Sequence, residues 1–207
     1  MFWKILAALL ILGVGWVVYD FFTLRAALHQ VYTPPEALIQ VPQGADLTLV
    51  EFLDYSCGAS RGAHTIIKEA LAKDGMVRFV PRPLVVPGNE QSKTMAELVY
   101  AAGIQGGFFK MHERIMETSD DLPALLAYAE TIGLDRVQLE KDMAGPEVAQ
   151  ALETNEKFFN DWQFQATPSL LIATDILGTK AMFRGDADGV TVQELLDMFQ
   201  SARRLFG

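Results

Sequence analysis

Cysteine is the residue this sequence nearly lacks: there is one in 207 residues, at position 57. A chain with a single thiol closes no disulfide of its own, has no Cys-x-x-Cys pair and cannot build a cysteine zinc site. Histidine is almost as scarce, with three in all. They are scattered too widely for a metal cluster, and the His-Glu-Arg run at His112–Arg114 lacks the second histidine a zinc helix needs, so no metal is expected. Runs of Lys and Arg are missing as well. With 26 acidic against 17 basic residues and a net charge of -9, the chain offers a phosphate backbone no clustered cations, and nucleic acid is excluded as a partner. No glycine-rich phosphate loop is present. Gly106-Gly107 reads as a break between helices, and Arg184-Gly185-Asp186 fits a strand-end turn. Charged residues make up 21% of the chain and hydrophobic ones 50%, so global disorder is ruled out. One domain of about 150 residues plus extras is the natural expectation.

Long apolar runs are absent with one exception, at the N-terminus. In "MFWKILAALLILGVGWVVYDFF", Lys4 precedes an unbroken apolar run from Ile5 to Tyr19, with Trp3, Trp16 and Tyr19 near its ends, where membrane interfaces favour aromatics. The run is shorter than the roughly 20 residues of an ideal span, so a cleaved export signal competes with a retained anchor. The stretch after it, "VVYDFFTLRAALHQ", offers no good pair of small residues for cleavage, and an uncleaved transmembrane anchor over 1–22 is the expectation. A buried core helix fits least, because the run is terminal and has no polar stripe. Residues 23–46 read as a tether: "LRAALHQVY" has the look of a short helix, and Pro34, Pro35 and Pro42 bar any long regular element after it. On this reading the protein crosses the cell inner membrane once and carries its remaining domain on the exported, periplasmic side.

That domain, 47–207, opens with "LTLVEFLDY", a buried central strand by its β-branched and apolar content. A helix follows through "SCGASRGAHTIIKEALAKDG", ending at Gly75, and "MVRFVPRPLV" alternates as a second strand. From about 90 to 162, segments with helical spacing are separated by Gly and Pro. "TPSLLIATDI" and "KAMFRGD" then read as strands around an "LGT" turn, and "TVQELLDMFQSARRLF" as a closing amphipathic helix begun by a Thr cap. Strand, helix, strand, helical block, hairpin, helix describes an α/β sheet interrupted by an all-helical insertion.

The chemistry concentrates in "VEFLDYSCGASRGAH", Val50 to His64. A thiol at the first turn of a helix meets unpaired backbone N–H groups and the positive end of the macrodipole, which favour thiolate, and Cys57 is the candidate nucleophile. Ser60 lies on the same helical face, within reach to donate a hydrogen bond to the thiolate, though an ordinary first-turn serine is an equal reading. It cannot replace a resolving thiol. Net two-electron oxidation by the chain alone is therefore excluded, leaving disulfide shuffling, mixed-disulfide reduction or capture of thiol partners. His64, a further turn along, is a charge partner for Cys57 if close, and otherwise a solvent-facing helix histidine, which we expect. Glu51 and Asp54 flank the strand end. Whichever is buried becomes a proton shuttle with its carboxyl raised by desolvation, but strand alternation does not decide between them, and a solvated face is an equal reading.

The same residues resemble the active-site segment of the DsbA-like branch of the thioredoxin superfamily, where such a strand runs into Cys-x-x-Cys and a helix. "ATPSLLI", Ala166 to Ile172, resembles that family's cis-proline loop, and the insertion falls where the family keeps one. The resemblance covers roughly Leu47 to Phe206 and implies a thioredoxin-like fold with a helical insertion, here behind an N-terminal transmembrane helix. It further implies that Thr167 and Pro168 lie beside Cys57 and offer backbone groups to an extended substrate. Ser60 stands where the family has its second cysteine, and Gly58 and Ala59 also depart from its usual motif. The implied activity is thiol-disulfide exchange through one cysteine toward thiol- or disulfide-containing proteins or glutathione, the latter as co-substrate and with no cofactor. The alternative is a redox-inactive peptide-binding or scaffold module. A glutathione-transferase-like activity ranks third.

Overall fold

The structure is a computed structural model describing residues 3, 10–20, 22, 23, 26, 42, 44–174 and 180–206. At its centre is strand β1 (Leu47–Leu53), all seven residues of which are buried. It pairs in parallel with β2 (Val77–Pro83) and antiparallel with β3 (Ser169–Thr174), which in turn pairs antiparallel with β4 (Lys180–Asp186), giving the order β2-β1-β3-β4. A strand covered on both faces favours apolar residues on both, which is why "LTLVEFL" reads as a largely apolar run rather than an alternation, with Thr48 and Glu51 its two polar positions.

The two faces are covered by different helices. Leu47 and Leu49 pack with Ala63, Ile67 and Ala70 of α1 (Gly58–Asp74) and with Leu195 and Phe199 of α7 (Val192–Phe206). Val50 and Phe52, on the opposite face by the two-residue period, pack with Phe164 and with Phe158 of α6 (Pro146–Asp161). Helix α1 stops at Gly75, whose φ of 73° is left-handed and costs glycine nothing. Helix α7 starts with a capping box in which Thr191 Oγ1 accepts from Glu194 N–H while Glu194 Oε2 accepts from Thr191 N–H.

Between β2 and β3 the chain forms α2 (Glu90–Ile104), α3 (Phe108–Glu117), α4 (Leu122–Thr131), α5 (Arg136–Met143) and then α6. These helices have a core of their own, including Leu98, Phe108, Met111, Leu125 and Leu139, which meets the sheet at Leu53 and Tyr55. Gly106-Gly107 does separate two helices, and a Cβ at Gly107 would meet Leu134 at 2.8 Å.

Residues 10–20 are helical, with large apolar side chains such as Leu10 and Trp16 exposed. Among the described residues no helix is long and apolar enough to cross a membrane. Most of 4–9, 24–41 and all of 175–179 lie outside the described residues, and with them the start of the expected anchor, most of the expected tether and the "LGT" turn.

Candidate active site

Strand β1 delivers the chain into a tight turn at Asp54–Cys57, closed by Cys57 N–H donating to the Asp54 carbonyl at 3.0 Å. Cys57 is the N-cap of α1, with extended backbone and no side-chain cap bond, and it is partly exposed. The first turn of α1 carries no acidic side chain, so nothing there opposes negative charge at the helix start. The sulfur reaches across to the second half of the fold, where Cys57 Sγ donates to the Thr167 carbonyl at 3.6 Å. The Thr167–Pro168 bond is cis. That loop is tied down on both sides, by Ser169 Oγ donating to the Ala166 carbonyl at 2.6 Å and by Ala187 N–H donating to the Pro168 carbonyl at 3.0 Å. Cys57, Thr167 and Pro168, 110 residues apart in sequence, thus form one site.

Ser60 is fully buried, and its hydroxyl accepts from Asp54 N–H at 3.3 Å. No hydrogen bond joins it to Cys57. It serves the backbone of the turn instead of the sulfur, as short hydroxyl side chains near a helix start commonly do.

Glu51 and Asp54 are both buried, so strand alternation posed a choice the fold does not make. They differ in partners. Asp54 takes Ser56 N–H at 3.0 Å on Oδ1 and the Ser56 hydroxyl at 2.7 Å on Oδ2, an Asx turn that shapes the residues just before Cys57. Glu51 lies on the α1 face of the strand, and neither of its carboxylate oxygens has a hydrogen-bond partner. Burial alone pushes its carboxyl up from 4.5 to about 8.

The expectation of a solvent-facing His64 is overturned. His64 is buried, its ring 5.1 Å from that of His112, and it turns from the Cys57 end toward α3. The helical face it shares with Ala63, Ile67 and Ala70 is the one that packs inward, so the histidine goes with it. Burial, then Lys68, lowers its tendency to protonate, and burial lowers that of His112 further.

Several contributors escaped the sequence reading. Arg61 donates to the carbonyls of Tyr55, Met116 and Thr118, locking α1 to the C-terminus of α3. Tyr55, fully buried, shares a 2.8 Å hydrogen bond with Nδ1 of His112. Asn89 caps α2 by accepting from Ser92 N–H and also donates to the Ser56 hydroxyl at 3.0 Å, binding the loop before α2 to the Cys57 turn. Only the cap had a signal in the sequence, an Asn directly before a helical run.

Comparison with known proteins agrees with this geometry. A family model described as thioredoxin matches residues 42–184. A thioredoxin-like oxidoreductase from Silicibacter pomeroyi DSS-3 superposes with a TM-score of 0.69 at 26% identity, over 83% of this chain and 99% of that one. The catalytic domain of Proteus mirabilis ScsC does so at 0.66 and 18% identity, over 86% and 97%. Pseudomonas aeruginosa DsbA2 gives 0.66 and 21%, over 84% and 99%. At these lower identities the last two speak to fold alone. Among curated sequences, the Na(+)/H(+) antiporter NhaA 3 of Salinispora tropica is 32% identical over 114 residues, 54% of this chain and 18% of the antiporter. An NhaA of Herminiimonas arsenicoxydans is 26% identical over 204 residues, 92% of this chain and 31% of the antiporter. The chain therefore matches less than a third of the length of these antiporters. It belongs to the thioredoxin family, with a helical insertion between β2 and β3, and it has one cysteine, in a Cys-x-x-Ser motif.

Proposed function

We propose that this is a membrane-tethered, exported thiol-disulfide exchange protein acting through Cys57 alone on mixed disulfides of proteins or glutathione. The observation that carries the reading is the part-exposed Cys57 sulfur at a helix start, 3.6 Å from the Thr167 carbonyl of the cis-proline loop. Cys57 thiolate attacks one sulfur of a substrate disulfide, the substrate S–S bond breaks, and the other sulfur leaves as thiolate while Cys57 is held in a mixed disulfide. A thiolate from outside, or a second one on the substrate, then attacks that mixed disulfide and frees Cys57. Electrons balance within the exchange, and the chain ends as it began. Thr167 and Pro168 hold the substrate backbone beside the sulfur. Glu51, protonated up to about pH 8, is the proton reservoir beneath the turn, and Asp54 and Ser60 shape the turn. His64, facing His112, takes no part.

The layout that goes with this activity is an anchor over 1–22, a tether over 23–46 and the exchange domain over 47–207, on the periplasmic side of the inner membrane. The apolar run at 5–19 supports it. The test is trapping: the intact protein is quenched with acid from cells, and the species disulfide-linked to Cys57 are identified. Recovery of protein or glutathione adducts lost in Cys57→Ala supports the reading, and their absence contradicts it.

One observation favours the second reading, a peptide-binding scaffold without turnover. Ser60 is wholly enclosed and bonded to Asp54 N–H, so its site has settled around a hydroxyl. A scaffold would bind extended peptides equally well with Cys57→Ala.

A further inference from the structure

A cavity of about 410 Å³ lies between α1, β2 and α3. Its α1 side runs from His64 to Gly75 and its β2 side from Val77 to Phe79, where β2 pairs with the start of β1, so it opens toward the end of the sheet opposite Cys57. Ile67, Leu71, Val77, Phe79 and Phe109 give it apolar and aromatic walls. His64 and His112 also line it, and three ring nitrogens of theirs have no hydrogen-bond partner: both of His64 and Nε2 of His112. Those are three of the six buried side-chain polar atoms left unpartnered among the described residues. Orphaned polar atoms gathered at the wall of an apolar cavity are what a ligand site looks like without its ligand.

We propose that this cavity binds a neutral aromatic molecule carrying a hydroxyl group. The ring preference follows from the walls, where Phe79 and Phe109 stand 6.2 and 6.3 Å from the His112 ring and His64 meets it edge-on. Neutrality follows from the charges. Lys68, at the rim, is already held by Glu117 at 2.7 Å and Glu113 at 3.6 Å, which leaves no free lysine or arginine for an anionic ligand among the described residues that line the cavity. Burial also keeps both imidazoles uncharged. The hydroxyl follows from the nitrogens. A neutral imidazole has one N–H and one lone pair, and a hydroxyl is the smallest group that both donates and accepts. The ring torsion of histidine is broad and roughly two-fold, so a turn of the His64 ring presents either nitrogen to the ligand. The second nitrogen of His112, Nδ1, is fixed by Tyr55 at 2.8 Å, which orients its ring at the cavity wall.

The experiment titrates the full chain with naphthol, naphthalene and naphthoate, following binding by fluorescence and the imidazole nitrogens by NMR. Naphthol should bind one-to-one and shift the His64 and His112 resonances in saturable fashion, with naphthalene weaker by about tenfold for want of the hydroxyl and naphthoate weaker still. His64→Phe should remove most of the advantage of naphthol over naphthalene, His112 Nε2 alone remaining to meet the hydroxyl, while leaving naphthalene itself unchanged. The NMR titration on wild type needs no variant, so it decides the matter even if His64→Phe fails to fold. Equal affinity for naphthol and naphthalene, tighter binding of naphthoate, or imidazole resonances unmoved at saturation would each overturn the proposal.

Discussion

A carboxyl walled in on β1 without a hydrogen-bond partner is costly wherever it ionises, and Glu51 is such a group. Its folded value, about 8, lies above its ordinary 4.5, so it favours the folded state fully below pH 4.5, and that advantage is lost as pH rises through about 8. Glu51→Gln removes this dependence. The stability of the variant relative to wild type should therefore climb by about 3 kcal/mol from pH 4.5 to neutral pH in urea denaturation, and a difference that stays flat contradicts the assignment. The histidines act in the opposite sense. His64 and His112 are held below the ordinary 6.5, so their contribution is present above pH 6.5 and lost as pH falls beneath it, when the unfolded chain takes up protons the folded one refuses. Relative to wild type, His64→Leu should therefore gain stability as pH falls below 6.5. A difference that stays flat would show that His64 takes up a proton as readily in the fold as in the unfolded chain.

The turn before α1 and the start of α2 are one hydrogen-bonded unit. Asn89 caps α2 through its oxygen and holds Ser56 through its nitrogen, and Ser56 in turn is held by Asp54. Asn89→Ala loses both bonds and should cost about 1 to 2 kcal/mol. Asn89→Ser keeps a cap but is too short for Ser56, so it should recover most of the stability while leaving Cys57 alkylation faster than in wild type. Identical alkylation rates in all three proteins would show that Asn89 does not position the Cys57 turn. This coupling was invisible in the sequence, because Ser56 and Asn89 are 33 residues apart and polar residues in loops are common. The elements were legible for a different reason. β1 reads as a strand because burial on both faces favours a largely apolar run, and α1 ends where Gly75 allows a left-handed residue. His64 was misjudged because one histidine on a helix does not say which face packs inward; that depends on α3, which arrives 44 residues later at Phe108.

At the scale of the whole molecule, the order of strands, the helical insertion and the meeting of Cys57 with Thr167 could be expected from the sequence through family likeness, and the coordinates give them geometry. The buried network of Tyr55, His112 and His64 could not, since it exists only where the insertion closes on the sheet side of α1. If Ile5 to Tyr19 is a retained anchor, the protein from cells should keep Met1 to Phe22 and resist extraction by carbonate or high salt, because apolar burial is insensitive to both. An N-terminus beyond Ala27 would identify a cleaved signal.

The central claim is that Cys57 exchanges disulfides without a resolving partner. Its direct test is the fate of the mixed disulfide in wild type, Ser60→Cys and Cys57→Ala under one glutathione buffer, read by intact mass and by turnover of a peptide disulfide. Wild type should accumulate a one-to-one adduct that added thiol releases. Ser60→Cys, with a second sulfur three residues along α1, should lose the adduct and gain dithiol turnover, and Cys57→Ala should do neither. If wild type forms no adduct, matches Cys57→Ala in turnover, and Ser60→Cys recovers nothing, the exchange mechanism is contradicted and the scaffold reading takes its place.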